Sequence, residues 1–168
     1  MQEADHLDPA GPVITLRGQI GGEVIDANRH MNVSGFDRLF DQAETAMFLR
    51  FGIGDDYILS RQRSLFRLEK FVRYERELLV RQAYEVRSWI IGTDGRRIHH
   101  FHELWDCDND RRSAFYDCLA IHVNLERRKS AVIEDATILE ALRGFAQHLQ
   151  EYGLPAGPLP RGIGESTA

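Results

Sequence analysis

A carboxylate, an imidazole and a carboxamide stand close together at Asp26, His30 and Asn32 in the stretch DANRHMN, and directly after them the chain turns helical. Carboxylates and imidazoles are side chains suited to moving protons in catalysis. A carbonyl under attack develops negative charge on its oxygen, and the unpaired N–H groups opening a helix are donors already aimed at such charge. The loop carrying Asp26 delivers the chain into a terminus of that kind. Each residue also has a plainer role available. Asp26 fits a turn whose side chain is satisfied by nearby amides; His30 fits a packed residue holding the helix start; Asn32 fits an N-cap.

Further clusters invite chemistry. Histidines at 99, 100 and 102, with His122 further on, raise metal binding, since residues two apart share one face of a strand. A hairpin near positions 108–110 sets Ala120 or its neighbours opposite His99, which brings His122 close. No cysteine or carboxylate triplet completes such a site, so packing is the favoured role and no metal is expected. Trp89, Trp105, Tyr84 and Tyr116 fall on strand candidates, where they serve as core or present faces able to hold a quaternary ammonium.

These residues need elements to position them. Phe36, Leu39, Phe40, Ala43 and Met47 recur at helical spacing, which predicts a helix running to about Phe51. Asn32 or Ser34 can cap it, and Gly52 and Gly54 can end it. Val13 to Ile20 reads as a strand. From Ser64 to Glu126 the period becomes that of strands, with turns at Asp94-Gly95 and at Asp108-Asn109-Asp110. That pattern predicts SLFRLEKFVRYE as a strand followed by a three-stranded antiparallel meander. A last helix is expected over Glu134 to Tyr152. The Gly- and Pro-bearing ends, 1–12 and 153–168, read as flexible, leaving one ordered domain over 13–152. One long helix and one curved sheet make an α+β layer architecture, the sheet wrapping the helix. Its open face and edges imply self-association.

Composition narrows the classes. The 168 residues, 43% hydrophobic and 28% charged, suit one soluble domain. A net charge of -5 disfavours nucleic-acid binding. No run approaches a membrane span and the first residues are acidic, so a cytoplasmic location is the default expectation. The only cysteines, Cys107 and Cys118, read as reduced thiols.

The segment VIDANRHMNVSGFDRLFDQAETAMFLRFGIG resembles the start of hotdog-fold thioesterases, in which an Asp, three residues and then His-Met/Val-Asn lead into the central helix. RRIHHFHELWDCDNDRRSAFYDCLAIHVNLERRKS is similar to the last two strands of thioesterases found with carnitine and betaine metabolism. Together the likeness covers about residues 13–133 and places the chain in the 4-hydroxybenzoyl-CoA thioesterase-like superfamily. It implies a hotdog fold of one curved antiparallel sheet around a long central helix. It also implies a cofactor-free acyl-CoA thioesterase, a homodimer or tetramer with its site between subunits. By that likeness Asp26 is nucleophile or general base, assisted by His30 and Asn32. The Val33 amide polarises the carbonyl, with Ser34 and Phe36 lining the substrate. A helical Glu is the base in some of these enzymes, so Glu44 is the alternative, its competing roles being an ion pair with Arg50 or Arg38 or plain solvation. Gln42 has a weaker claim. The aromatic strand residues would suit a betaine-like acyl group, and Arg61, Arg63, Arg67, Arg73 and Arg76 could meet CoA phosphates. Two residues depart from the pattern: Arg29 replaces a Gly, where a left-handed backbone would be strained, and Phe36 replaces a Tyr. These departures support the alternative of a catalytically silent module that binds acyl-CoA or a protein partner. A hydratase or dehydratase ranks last.

Overall fold

The computed structural model describes residues 12–152. Its elements are strand β1 (Val13–Gln19), a short 3-10 turn (Gly22–Val24), helix α1 (Val33–Arg50) and helix α2 (Asp55–Arg61). Strands β2 (Arg63–Tyr74), β3 (Ala83–Thr93), β4 (Arg97–Asp106), β5 (Arg111–Asn124) and β6 (Lys129–Ser130) follow, and helix α3 (Ala136–Tyr152) closes the series. The readings of 1–12 and 153–168 as flexible lie outside the described residues, Pro12 excepted.

All strand pairs are antiparallel, in the order β1-β3-β4-β5-β2, with β6 added to β5. The expected meander is β3-β4-β5. Its first hairpin turns at Asp94-Gly95, where Gly95 takes φ 84, a conformation glycine adopts without a Cβ penalty. β2 does not extend the meander from the β3 side but lies against β5 at the opposite end. The reason is α1: β1 and β2 occupy the two edges of the path, so the helix joining them crosses the sheet. The sheet curls about that helix, which is the expected hotdog architecture.

Asn32 caps α1, its side chain accepting from the Gly35 amide at 2.9 Å. Gly52, at φ 78, ends it. The buried face comprises Gly35, Phe36, Phe40, Ala43, Glu44, Met47 and Phe48. Leu39, counted on the apolar stripe from sequence, is only half-buried, and Glu44 enters the interior in its place. Each fully buried Phe or Met side chain contributes about 1.5–3 kcal/mol of transfer free energy, which secures the helix over the sheet. One apolar cluster joins Phe36 and Phe40 to Val86, Leu104 and Tyr116; a second joins Met47 and Phe48 to Ile90, Ile98 and Leu142 of α3. No helix among the described residues is long and apolar enough to cross a membrane.

Candidate active site

Asp26 to His30 form a closed turn at the foot of α1. The Arg29 amide donates to the Asp26 carbonyl at 2.9 Å, and the Asp26 amide to the His30 carbonyl at 3.2 Å. Ile25 bridges Met31, Asn32 donates to the Val24 carbonyl, and Met31 donates to the Leu78 carbonyl, so the turn is clamped at its base. Arg29 takes φ 67, the left-handed conformation anticipated from its place in the motif. The half-buried Asp26 carboxylate accepts the Asn28 amide at 2.8 Å through Oδ1. It therefore makes an Asx turn while keeping further acceptor capacity. His30 donates from Nδ1 to the Met31 carbonyl at 3.1 Å, which leaves Nε2 as the acceptor nitrogen of the neutral ring.

Because Asn32 takes the Gly35 amide and intrahelical bonds cannot reach the first turn, Val33 and Ser34 present their N–H groups at the front of α1. Both are exposed, whereas Phe36 is buried and meets Tyr74 edge to face at 5.1 Å between centroids. A crevice of about 190 Å³ flanks this first turn, lined by Val24, Met31, Gly35, Leu39, Gln42 and Tyr84 among others. Gly35 is required there, since a Cβ would come within 2.6 Å of the Met31 side chain.

Glu44 pairs neither with Arg50 nor with Arg38. It is buried and accepts from Arg67 Nε at 2.8 Å and from the Tyr116 hydroxyl at 3.0 Å, both on Oε2. Arg67 also reaches Asp41. Burial opposes the charge on Arg67, but the bonds to Glu44 and Asp41 outweigh it and raise its pKa. Burial, with Glu44 adding to it, pushes the Tyr116 hydroxyl well above its ordinary range. Sequence spacing finds neither partner, because helical reasoning sees only neighbours three or four residues away.

The histidines separate instead of converging. His99 faces the side of the sheet away from α1 and donates to Asp117 at 2.6 Å. His122 accepts the Tyr57 hydroxyl at 2.8 Å and donates to the Ala131 carbonyl at 3.0 Å. His100 and His102 share the face beneath α1 and are hydrogen bonded to each other at 2.8 Å. Burial, with His99 and Arg67 adding to it, pulls His100 down to about 3; burial likewise holds His102 well below the usual imidazole range.

The aromatic quartet does not form a cage. Tyr116 is buried between Phe40 and His102, and Trp105 already carries the Arg87 guanidinium 4.0 Å from its ring centre. Among the arginines considered for phosphate, Arg61 pairs with Asp135, Arg63 bonds local carbonyls and Arg67 is held by Glu44. Arg73 and Arg76 join Arg87, Arg111 and Arg112 around a crevice of about 720 Å³ that also carries Glu75 and Glu103. Cys107 is exposed, Cys118 is buried, and neither is in a disulfide.

Residues 22–142 match the family described as the thioesterase-like superfamily. A betainyl-CoA thioesterase of Pseudomonas aeruginosa is 26% identical, over 84% of this chain and 86% of that protein. An L-carnitine dehydrogenase/betainyl-CoA thioesterase of Rhizobium meliloti is 24% identical over 90% of this chain, which spans 30% of that longer protein. Among solved structures, a Staphylococcus aureus protein in complex with CoA superimposes with a TM-score of 0.73 at 19% identity, covering 90% of this chain and 95% of that one. The last likeness shows the fold.

Proposed function

Because the chain belongs to the thioesterase-like superfamily, we propose that it hydrolyses an acyl-CoA thioester to the free acid and CoA, with Asp26 as nucleophile or general base. The observation that carries this reading is a half-buried carboxylate held on a clamped turn just before a helix whose first amides, Val33 and Ser34, face forward. As general base, Asp26 takes a proton from water while the water oxygen bonds to the thioester carbon. The Val33 amide stabilises the oxyanion, and its collapse breaks the carbon–sulfur bond, the sulfur leaving with the bonding pair and taking the proton from Asp26 to give CoA and restore the carboxylate. A nucleophilic Asp26 would instead form a mixed anhydride that water then cleaves. His30 and Asn32 shape the turn and the helix start, and the exposed Ser34 lines the acyl side, whereas Phe36, assigned there from the sequence, is buried in the core.

A second copy completes the site in this reading, its helix start facing the loop of the first. The exposed β2 edge supports that association. Arg73 and Arg76 are the candidate contacts for CoA phosphates, since of the five arginines considered they are the two that line the Arg-rich crevice. Betainyl-CoA heads the substrates to test because two relatives act on it by name.

The test is thiol release from a panel of CoA esters containing betainyl-CoA and a neutral acyl-CoA of equal length. Wild type is expected to release CoA, and Asp26→Asn to remain folded with turnover lowered by about 100-fold or more. Unchanged turnover in the variant rejects Asp26. A second reading, the silent binding module, draws on the Asp26 carboxylate already serving its own turn; binding of the esters without thiol release by wild type would establish it.

A further inference from the structure

Beneath α1 lies a buried polar cluster outside the proposed hydrolytic site. Glu44 of α1, His100 of β4 and Cys118 of β5 each offer a ligand atom, and the three atoms lie within 4.8 Å of one another. His100 and Cys118 are directly paired across β4 and β5, on the face the helix covers.

Hydrogen bonds behind His100 set its tautomer. The Thr15 hydroxyl donates to the Val86 carbonyl at 3.2 Å, so its oxygen accepts from Ser88 at 2.9 Å. Ser88 has then spent its hydrogen and accepts from His102 Nδ1 at 2.7 Å. Neutral His102 is left with a lone pair on Nε2, which accepts from His100 Nδ1. Neutral His100 in turn carries a lone pair on Nε2, and this buried atom has no hydrogen-bond partner among the described residues. An imidazole whose second nitrogen donates to a fixed acceptor is prepared as a metal ligand.

We propose that Glu44, His100 and Cys118 bind one divalent cation of the zinc class, joining α1 to β4 and β5. Oxygen, nitrogen and sulfur donors together suit zinc or its cobalt surrogate rather than magnesium or calcium. Arg67 and Tyr116 both bond Glu44 Oε2, which orients the carboxylate and makes Oε1 the oxygen available to the ion. Cys118 enters as thiolate: the S–H bond breaks, its electron pair forms the metal–sulfur bond, and one proton leaves to solvent per ion bound. Phe48 packs edge to face on His100 at 5.2 Å and fixes the ring from the helix side.

The probe is Co2+ added to chelator-treated full-length protein carrying Cys107→Ser, so that the exposed thiol cannot contribute. One equivalent is expected to produce a thiolate-to-cobalt charge-transfer band and a tetrahedral spectrum, both displaced by Zn2+. Cys118→Ser abolishes the band, and Ser88→Ala, which removes the acceptor behind His102, weakens binding by about tenfold. Nitrogen-15 NMR of the metal-free protein should find His100 Nε2 unprotonated, shifting when Zn2+ is added. The proposal is overturned by a folded protein that gives no thiolate band, by a band that survives Cys118→Ser and His100→Gln, or by hydrogen on His100 Nε2. The first and last of these are read without any variant of the three ligands, so a misfolded mutant does not shelter the proposal.

Discussion

Arg29 holds a left-handed backbone at φ 67 in the turn that presents Asp26. For a residue with a Cβ that conformation costs about 1–2 kcal/mol, partly offset by the extra chain entropy a glycine would lose on folding. Arg29→Gly is therefore expected to raise Tm by about 2–4 °C, the shift that about 1 kcal/mol produces in a domain of this size. Differential scanning calorimetry decides it, and a lowered Tm would mean the Arg29 side chain contributes more than its backbone costs. At this scale the sequence disclosed local features: the left-handed position, the Asn32 cap and the Asp26 turn all involve residues within a few positions of one another. Glu44 was opaque, because its partners Arg67 and Tyr116 lie 23 and 72 positions away. The same distance hid the cluster at His100, whose missing carboxylate and cysteine come from other elements and not from the histidine run.

Among the elements, the hairpins and both long helices were legible because turn residues and periodicity are local signals. α2 was not. Seven residues are too few to show a period, and Tyr57 is its only buried side chain. The β2–β5 pairing was hidden as well, since it depends on α1 carrying the chain across the sheet. α2 is tied to the sheet through the Tyr57–His122 bond, and burial lowers the pKa of His122 below its ordinary 6.5. As pH falls through that ordinary value the unfolded chain takes up the proton first, so the contribution of His122 to stability is present above it and is lost on acidification. His122→Gln keeps an acceptor and a donor but cannot titrate. Its Tm deficit against wild type should shrink as the pH is lowered from about 7 to about 5. A deficit that stays constant over that range would show that His122 does not take part in the acid loss.

For the whole molecule the decisive feature is the far edge of the sheet. β2 is twelve residues long, ends the strand order, and exposes Phe66, Leu68, Phe71 and Tyr74. A long apolar edge left bare would template aggregation, so it is expected to be covered. If a second copy covers it by antiparallel pairing about a two-fold axis, residues near the strand centre meet their own counterparts. Leu68 sits near that centre, at the bulge where the pairing with β5 skips a residue, and is 51% exposed. Leu68→Lys would bring two like charges together at the axis while leaving the core of each chain untouched. Light scattering is expected to show a dimer for wild type and a monomer for the variant, with thiol release lost because each site lacks its neighbour. A variant that remains dimeric and fully active would place the interface elsewhere, whereas a fully active monomer would mean that one chain contains the whole site and that the partner's helix start plays no part in hydrolysis.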